Sequence, residues 1–515
     1  MGIYLICTLG DRDIQFNKND KEKVEKLLNI NLTGNRDDKE YCVVHPNKFR
    51  IDTKKILDNY NKIKKYIQIP LIDKVIDKIE NKKLEKIYLI ATDQEGIVPE
   101  QYSIKDTIYE AKIIKKKLLE KYNLNVEIVP AEFNAKDLKE WFKLIVDLFN
   151  KVLKDDNNEI VIEFSGGMSE TREAIRLASL FNNKITVYEI INNKPVDMNT
   201  HFYEQRIAKE KVKDLVKNYN YSGALSLFKG YLPEDVKEAL RYLNYRLNFD
   251  FENAKGIAEN NEIVKEHNYR LEKIDSVNNT IDKLKYLILE LLDNMEIELK
   301  RKEYANFLAR VYRLEEAIGQ YLILKWLSDK NCEIHYPFPN KEKPYRKKPE
   351  YLPVNGKISI NRYLAFYFSH LKDGGYENEH ERYLANELNK LIQKDKDFKI
   401  GKELNTRNIE EIIKIMYNEN SEERKMLNNI FIMYKYYDNR KSENLRNNTI
   451  IAHGFRGVNR DMINDILKKN GINKDIEDFF KEDIKERFYK IIGENVEENI
   501  FDRINSRIIS ELDNS

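Results

Sequence analysis

An arginine and a histidine stand seven positions apart in the stretch LRNNTIIAHGF, residues 445–455. Arg446 is permanently charged and can hold two phosphate oxygens, and His453 can take or give a proton near neutral pH. Asn447 adds an amide that can orient the phosphate or the imidazole. RNA supplies its own nucleophile, the 2′-hydroxyl, so this set can cleave RNA without a metal ion. The bare spacing also arises by chance, so the inference depends on the neighbouring residues.

These side chains act together only if one element places them on the same face. Seven residues of an α-helix turn through about 700° and rise about 10.5 Å. A helix over 445–453 therefore puts Arg446 and His453 on one face, two turns apart, where both can reach a single phosphodiester.

The element that carries them belongs to a region predicted to be all-α. After about residue 200 the β-rich runs end and long amphipathic helices follow, for example over 281–298 and 303–327. The Pro-rich stretch 337–353 is predicted to be a loop. From 376 to 515 the pattern is helical again.

The first 190 or so residues alternate β-rich runs with helical patterns such as 107–121, which predicts a mainly parallel, Rossmann-like α/β sheet. Polar residues and glycines follow several of the predicted strands, at the edge where such sheets bind ligands. Paired glycines before a helix allow backbone N–H groups to approach an anion. The β-rich runs are 3–9, 86–92, 126–131, 159–164 and 185–191. The candidate ligand residues at or just after the carboxyl ends of these runs are Thr8, Gly10, Arg12, Asp13, Thr92, Asp93, Gln94, Ser165, Gly166, Gly167, Met168 and Thr171.

The length, the composition and the net charge of the chain limit the class of protein to which it can belong. A chain of 515 residues with 41% hydrophobic residues predicts two or three globular domains. The net charge of +2 argues against a uniformly basic nucleic-acid binder. The cysteines and the other histidines show no metal-ligand spacing. The first apolar run is too short for a signal peptide, and no run approaches the ~18 residues of a membrane span, so a soluble, cytoplasmic protein is expected.

Four stretches in the first half resemble the CARF domain, the sensor of cyclic oligoadenylates in type III CRISPR defence. They are TLGDRDIQ (8–15), ATDQ (91–94), DTIYEA (106–111) and SGGMSET (165–171). The resemblance covers residues 1–195 and implies that the loops after Thr8 and Gly166 hold the adenylate ring across a two-fold dimer interface. It also implies that Asp106 and Thr107 line the same pocket. Taken alone, Asp106 is equally well explained as a helix N-cap.

LRNNTIIAHGF resembles the active-site segment of HEPN ribonucleases, although Thr449 stands where serine is more usual. FLARVYRLEEAIGQYLI (307–323) resembles the amphipathic helix that packs behind that active site. The HEPN resemblance covers 301–515, and 196–300 resembles the helical connector of the same family. A CARF-like sensor, a connector and a HEPN-like domain in this order resemble the CARF–HEPN ancillary ribonucleases of type III CRISPR systems.

The resemblance implies a cytoplasmic homodimer, without membrane or metal, that degrades single-stranded RNA in antiviral defence. A cyclic oligoadenylate, with a slight preference for cyclic tetra-adenylate, would be the allosteric activator. Arg446 and Asn447 would hold the phosphate while His453 transfers protons, which gives a 2′,3′-cyclic phosphate. A ligand-sensing transcription regulator, a metal-dependent nuclease and a non-catalytic HEPN scaffold stay open as alternatives, and so does ring nuclease activity in the sensor.

Overall fold

The computed structural model of the chain describes residues 2–35, 38–79, 84–191, 194–198, 201–336, 345–352, 359–395, 398–438, 441–445 and 457–514. The chain divides into two compact units, residues 1–207 and 208–515. The boundary falls in the region where the sequence pattern changes from mixed to helical.

The first unit is built on a six-stranded sheet. Its strands, and those of a small accessory sheet, are β1 (Ile3–Thr8), β2 (Phe16–Asn17), β3 (Leu32–Gly34), β4 (Tyr41–Val44), β5 (Leu84–Thr92), β6 (Val126–Ala131), β7 (Glu159–Glu163), β8 (Ile185–Ile191) and β9 (Lys194–Asp197). The large sheet has the order β6-β5-β1-β7-β8-β9. Its pairs are parallel except β8 with β9, which is antiparallel. The accessory sheet β2-β4-β3 is antiparallel.

Helices cover both faces of the large sheet. They are α1 (Lys21–Leu28), α2 (Phe49–Asp58), α3 (Tyr60–Ile63), α4 (Pro70–Lys78), α5 (Glu100–Ser103), α6 (Ile108–Tyr122), α7 (Leu138–Val152) and α8 (Ser169–Ser179). Because successive residues of a strand point to opposite faces, Leu5 and Cys7 of β1 enter one core while Ile6 enters the other. The first core includes α2 and α6, and the second includes α7 and α8. The predicted mainly parallel α/β sheet is confirmed.

The second unit is mostly helical. Its helices, beginning with α9 at the boundary, are α9 (His201–Lys217), α10 (Tyr221–Phe228), α11 (Glu234–Leu247), α12 (Phe251–Ala258), α13 (Tyr269–Ser276), α14 (Thr280–Lys300), α15 (Tyr304–Asp329), α16 (Ile360–Lys372), α17 (Glu379–Lys394), α18 (Thr406–Met416), α19 (Glu422–Ile432), α20 (Arg460–Lys469), α21 (Ile476–Phe479), α22 (Glu486–Ile492) and α23 (Ile500–Asn514). A π-helical segment, Phe480–Lys485, joins α21 to α22. The helices predicted over 281–298 and 303–327 are confirmed as α14 and α15.

Two hydrophobic cores stabilise the second unit. One gathers buried residues of α9 to α13 together with Ile297 of α14 and the apolar face of α23. The other gathers α14 to α22. The last helix therefore packs with helices that lie more than 200 residues earlier in the chain. The division into a connector over 196–300 and a HEPN-like domain over 301–515 stays a prediction.

Two short hairpins interrupt the helices. β10 (Ile334–Tyr336) pairs with β11 (Tyr345–Lys347), and β12 (Lys435–Asp438) pairs with β13 (Lys441–Asn444), both antiparallel. The prediction of a loop over the whole of 337–353 is therefore wrong at 345–347, where the backbone pairs with a strand preceding the prolines. The second hairpin was not predicted, because its two strands are mostly polar and do not alternate apolar with polar residues.

Within the described part of the chain, no helix is both long enough and apolar enough to cross a membrane.

Candidate functional site

A cavity of about 610 Å³ lies at the carboxyl edge of the large sheet. Segments that follow β1, β5, β6 and β7 border it, because the carboxyl ends of parallel strands meet at one edge. Residues far apart in the sequence are thus brought together. The predicted ligand residues that line the cavity are Thr8, Gly10, Thr92, Gln94, Thr107, Gly167, Met168 and Thr171.

Two helices begin at this cavity. Thr107 is the N-cap residue of α6 and Met168 that of α8, and neither side chain caps its helix with a hydrogen bond. The first-turn N–H groups of both helices and their dipoles therefore add positive potential at the cavity. The charged side chains in the described lining are Lys105, Lys136 and Asp11. The cavity as a whole favours an anionic ligand.

The loops after β1 and β7 contact each other at the floor of the cavity. The Thr8 hydroxyl donates a hydrogen bond to the Gly166 carbonyl oxygen at 2.8 Å. A Cβ at position 10 would lie 2.9 Å from the backbone nitrogen of Gly167. Gly167 itself has a φ of +85°, which side-chain-bearing residues rarely adopt. Glycine at these positions is what allows the two loops to approach so closely.

A polar network fixes the segment between β5 and α6. Thr92 and Thr107 each donate a backbone N–H to the other's hydroxyl oxygen, both at 3.0 Å. The buried Asp106 accepts hydrogen bonds from the backbone nitrogen of Gln94 at 2.6 Å and from its amide nitrogen at 2.8 Å. The side-chain Oε1 of Gln94 accepts a hydrogen bond from the Ala135 backbone N–H at 2.7 Å, which joins this segment to the loop after β6. Asp106 therefore holds the loop and is not the N-cap of α6.

Arg50 of α2 completes this network and was missed by the sequence analysis. Its guanidinium donates to Asp93 and Asp106, each at 2.9 Å, and to Glu95 at 2.6 Å. Burial opposes its charge, but the hydrogen bond to Asp93 and the neighbouring carboxylates raise the pKa of Arg50 above its ordinary value. No local pattern marks this residue, because its partners lie more than 40 positions away.

The remaining predicted ligand residues lie beside or beneath the cavity lining. Asp93 pairs with Arg50, and the Ser165 hydroxyl accepts a hydrogen bond from the Ile190 backbone nitrogen at 2.7 Å. Arg12 is half-buried and lies 4.0 Å from Asp11. Asp13 and Gly166 are buried under the loops, and Asp106 is buried within the network described above.

Several lining residues were not predicted. Asn134 and Lys136 follow β6, so the strand-end rule could have found them. The Lys136 ammonium lies 5.0 Å from the centre of the Tyr102 ring at the cavity. The same rule covers Leu9 and Asp11 after β1 and Ala135 after β6. Ile90 lies within β5 and Trp141 lies on α7. The others come from the start of α2 and the segment just before it, and from the segment between β5 and α6, which carry no comparable signal. The unpredicted lining residues are Leu9, Asp11, Pro46, Phe49, Ile90, Val98, Pro99, Tyr102, Lys105, Asn134, Ala135, Lys136 and Trp141.

The predicted catalytic residues Arg446, Asn447 and His453 lie outside the described residues, and so does Thr449. Their geometry stays a prediction. The described residue before them, Leu445, is buried and donates its backbone N–H to the Tyr434 carbonyl at 3.1 Å. The stretch 307–323 lies within α15, whose apolar face belongs to the larger helical core.

A second cavity, of about 1260 Å³, lies within the helical unit and includes Arg310 and Arg313 of α15. Arg310 pairs with Glu298, and Arg313 pairs with Glu316. The charged lining residues balance in sign, which does not favour a polyanion. They are Lys255, Lys283, Arg310, Arg313, Glu252, Asp275, Glu316 and Glu403. Among the described residues, no group of three or more His, Cys, Asp and Glu side chains is arranged to hold a metal ion.

Comparison with known proteins gives a likeness of fold. No model of a known protein family matches the chain, and no curated protein matches it. Among solved structures, the chain is similar to Enterococcus italicus Csm6 bound to cyclic hexa-2′-fluoro-hexa-dAMP, with a TM-score of 0.53 and 13% identity over 99% of each chain. At this identity the likeness establishes the fold alone, and it spans both units. The resemblance to CARF–HEPN proteins is thereby confirmed as a likeness of fold.

Proposed function

We propose that the chain is an endoribonuclease of type III CRISPR defence that a cyclic oligoadenylate activates. The observation that carries the proposal is the cavity at the carboxyl edge of the sheet, where two helix N-termini and two lysines favour an anion. The likeness of fold to a protein solved with a cyclic hexanucleotide analogue supports a cyclic nucleotide as that anion.

In this proposal the cavity binds part of the ring. The glycine loops at 10 and 166–167 allow backbone N–H groups to approach phosphate oxygens, while Lys105 and Lys136 supply charge. The apolar side of the cavity, which includes Phe49 and Pro99, accommodates adenine. A cyclic tetra- or hexanucleotide is larger than one such cavity, so a homodimer would hold the ring between two copies.

The catalytic residues of the proposal are Arg446, Asn447 and His453. The arginine and the amide hold and polarise the scissile phosphate, and the histidine transfers protons between the 2′-hydroxyl and the leaving 5′-oxygen. The products are a 2′,3′-cyclic phosphate and a 5′-hydroxyl on single-stranded RNA. No step requires a metal ion.

Activation requires that the ligand bind the active arrangement of the chain more tightly than the inactive one. A ring that bound the active and the inactive arrangement equally well would change nothing. Thr107 is hydrogen-bonded to Thr92 at the end of β5, and Gln94 is hydrogen-bonded to Ala135 in the loop after β6, so a change in these loops would reach the carboxyl edge of the sheet.

The test is cleavage of a labelled single-stranded RNA in EDTA with cyclic tri-, tetra- and hexa-adenylate in turn. We expect one ring size, with tetra-adenylate favoured, to start cleavage that leaves 2′,3′-cyclic phosphate ends. Cleavage that is independent of every ring, or that stops in EDTA and returns with a divalent metal, would contradict the proposal.

A further inference from the structure

Three carboxyl side chains lie completely buried beneath the cavity loops. Asp13 in the loop after β1, Glu110 on α6 and Glu163 on β7 are each 0% exposed. Each accepts one backbone N–H: from Gly10 at 2.6 Å, from Ile14 at 3.2 Å and from Ser165 at 2.9 Å. The second oxygen of each carboxyl is buried and has no hydrogen-bond partner among the described residues. We name these three residues the carboxyl cluster.

The surroundings of the carboxyl cluster supply little positive charge. The other titratable or charged groups that act on it are the Cys7 thiol of β1, Asp11 and Arg12 of the loop after β1, and Glu189 of β8. The cation among them, Arg12, has a side chain that is 42% exposed and lies near Asp11. Glu189 lies 3.5 Å from Arg172 of α8. No acid in the cluster therefore has a buried cation of its own among these groups.

Carboxyl groups in such surroundings retain their protons. Burial, with repulsion from Glu163, raises the pKa of Asp13 well above its usual range. Burial, with repulsion from Asp13, does the same for the pKa of Glu110. Burial raises the pKa of Glu163 from its ordinary value of 4.5 to about 7. An uncompensated buried charge is costly, so full ionisation of the three is strongly disfavoured at neutral pH.

The carboxyl cluster is in direct contact with the loops that line the cavity. The same Asp13 oxygen that accepts the Gly10 N–H would lie 2.6 Å from a Cβ at position 166. The Glu163 carboxyl holds the backbone of Ser165, the residue before the glycine pair. The cavity-lining glycines at 10 and 167 are therefore supported from below by groups whose charge depends on pH.

We propose that the carboxyl cluster supports the cavity loops in its protonated form. An anionic ligand would then bind more tightly when the cluster is protonated than when one of its carboxyl groups is ionised. The inference rests on the proposed function, because it assigns a cyclic oligoadenylate to this cavity. The negative phosphates repel any carboxylate formed beneath the loops, and the ligand therefore favours the protonated form. Binding above neutral pH takes up a proton from solvent.

Binding by the 515-residue chain tests the proposal directly. The dissociation constants of cyclic tetra-adenylate and cyclic hexa-adenylate are measured at pH 6, 7 and 8 at constant ionic strength. We expect the wild type to lose about tenfold in affinity from pH 6 to pH 8, as one coupled proton requires. Glu163→Gln mimics the protonated acid and should lose far less. The matched control Glu173→Gln removes an exposed charge from α8 and should follow the wild type.

Thermal unfolding without ligand separates this inference from the proposed function. Folded Glu163 keeps its proton to about pH 7, whereas an unfolded glutamate loses it near its ordinary value of 4.5. The stabilisation this provides at low pH is lost as the pH rises from about 4.5 to about 7. The melting temperature of Glu163→Gln minus that of the wild type should therefore be several degrees higher at pH 8 than at pH 5. Asp13→Asn should behave in the same direction.

The outcomes are distinguishable. If neither ring binds at any pH, the proposed function fails, while the unfolding comparison still decides whether the cluster holds protons. If a ring binds and wild type and Glu163→Gln show parallel pH profiles, the inference is overturned and the proposed function stands. The inference would also be overturned if the melting temperatures of Glu163→Gln and Asp13→Asn differed from that of the wild type by the same amount at pH 5 as at pH 8.

Discussion

Gly166 shows how tightly single residues constrain the candidate site. A Cβ at this position would lie 2.5 Å from the Thr8 carbonyl oxygen and 2.6 Å from the Asp13 carboxyl. Neither atom can withdraw easily, because one belongs to the backbone of a central strand and the other is fixed by the Gly10 N–H. The glycine is therefore required by close packing rather than by flexibility.

We predict that Gly166→Ala destabilises the chain by about 2 kcal/mol, the usual cost of an overpacked site. Ligand affinity should fall by about tenfold or more, because the loops after β1 and β7 must separate. Urea denaturation and equilibrium binding measure the two effects. Gly34→Ala is the matched control in the same unit, since a Cβ there meets nothing within 4 Å. Equal behaviour of the two variants would contradict the packing described.

At the scale of elements, charged side chains that are largely or fully buried join helices to a loop segment and to one another. In the first unit Arg50 ties α2 to the segment between β5 and α6, and its backbone N–H also donates to Ile104 at 2.8 Å. In the second unit Arg246 of α11 pairs with Glu290 of α14, and Lys485 of the π-helical segment pairs with Asp293. Because a buried charge without its partner is costly, each pair favours the packing that keeps its two elements together.

We predict that Arg50→Met destabilises the chain by roughly 3 kcal/mol, because it leaves the buried Asp106 without its cation. Ligand affinity should fall as well, since Gln94 and Thr107 of the same segment line the cavity. Arg50→Lys keeps the charge but not the three-way fork, so it should be intermediate. Urea denaturation and ligand titration check this order. An unchanged unfolding midpoint for Arg50→Met would refute the role assigned to the guanidinium.

We predict a strong contrast between two arginines of the helical unit. Arg246 is 1% exposed, so Arg246→Met removes the closer of the two buried cations beside Glu290, leaves Arg270 at 3.6 Å, and should cost about 3 kcal/mol. Arg313 has a side chain that is 65% exposed in its pair with Glu316, so Arg313→Met should cost under about 0.5 kcal/mol. Chemical denaturation of both variants measures the difference. Similar losses would show that burial of the pair does not set its contribution.

At the scale of the whole molecule, the proposed sensor and the proposed catalytic residues belong to different compact units. The cavity is formed by residues between 8 and 171, within the first unit, and the sequence positions 446 and 453 fall in the range of the second. Ligand binding and RNA cleavage should therefore be separable by substitution, although activation couples them.

We predict a double dissociation. Arg446→Ala or His453→Ala should abolish RNA cleavage while ligand affinity stays within about twofold of wild type. Gly167→Asp should abolish ligand-activated cleavage, because a side chain there is strained at a φ of +85° and adds a negative charge at the anion site. Cleavage assays and ligand titrations on each variant provide the measurements. A large loss of ligand affinity in His453→Ala would mean that the two sites are misassigned.

The sequence by itself determined the class of the fold and much of the cavity. β-rich runs and helical apolar patterns are local, so five of the six strands of the large sheet and helices such as α14 and α15 could be predicted from them, whereas the edge strand β9 was not predicted. The rule that ligands lie at the carboxyl ends of parallel strands then identified Thr8, Thr92 and Gly167.

Only the tertiary structure decided which residues support those loops. Arg50 meets Asp93 and Asp106 across 43 and 56 positions, and Glu110 meets Ile14 across 96. Burial and the distance between charges depend on how distant segments pack, and no local pattern encodes either quantity. For this reason the sequence could indicate the cavity at the strand ends, while the buried carboxyls beneath it became visible only once the chain was folded.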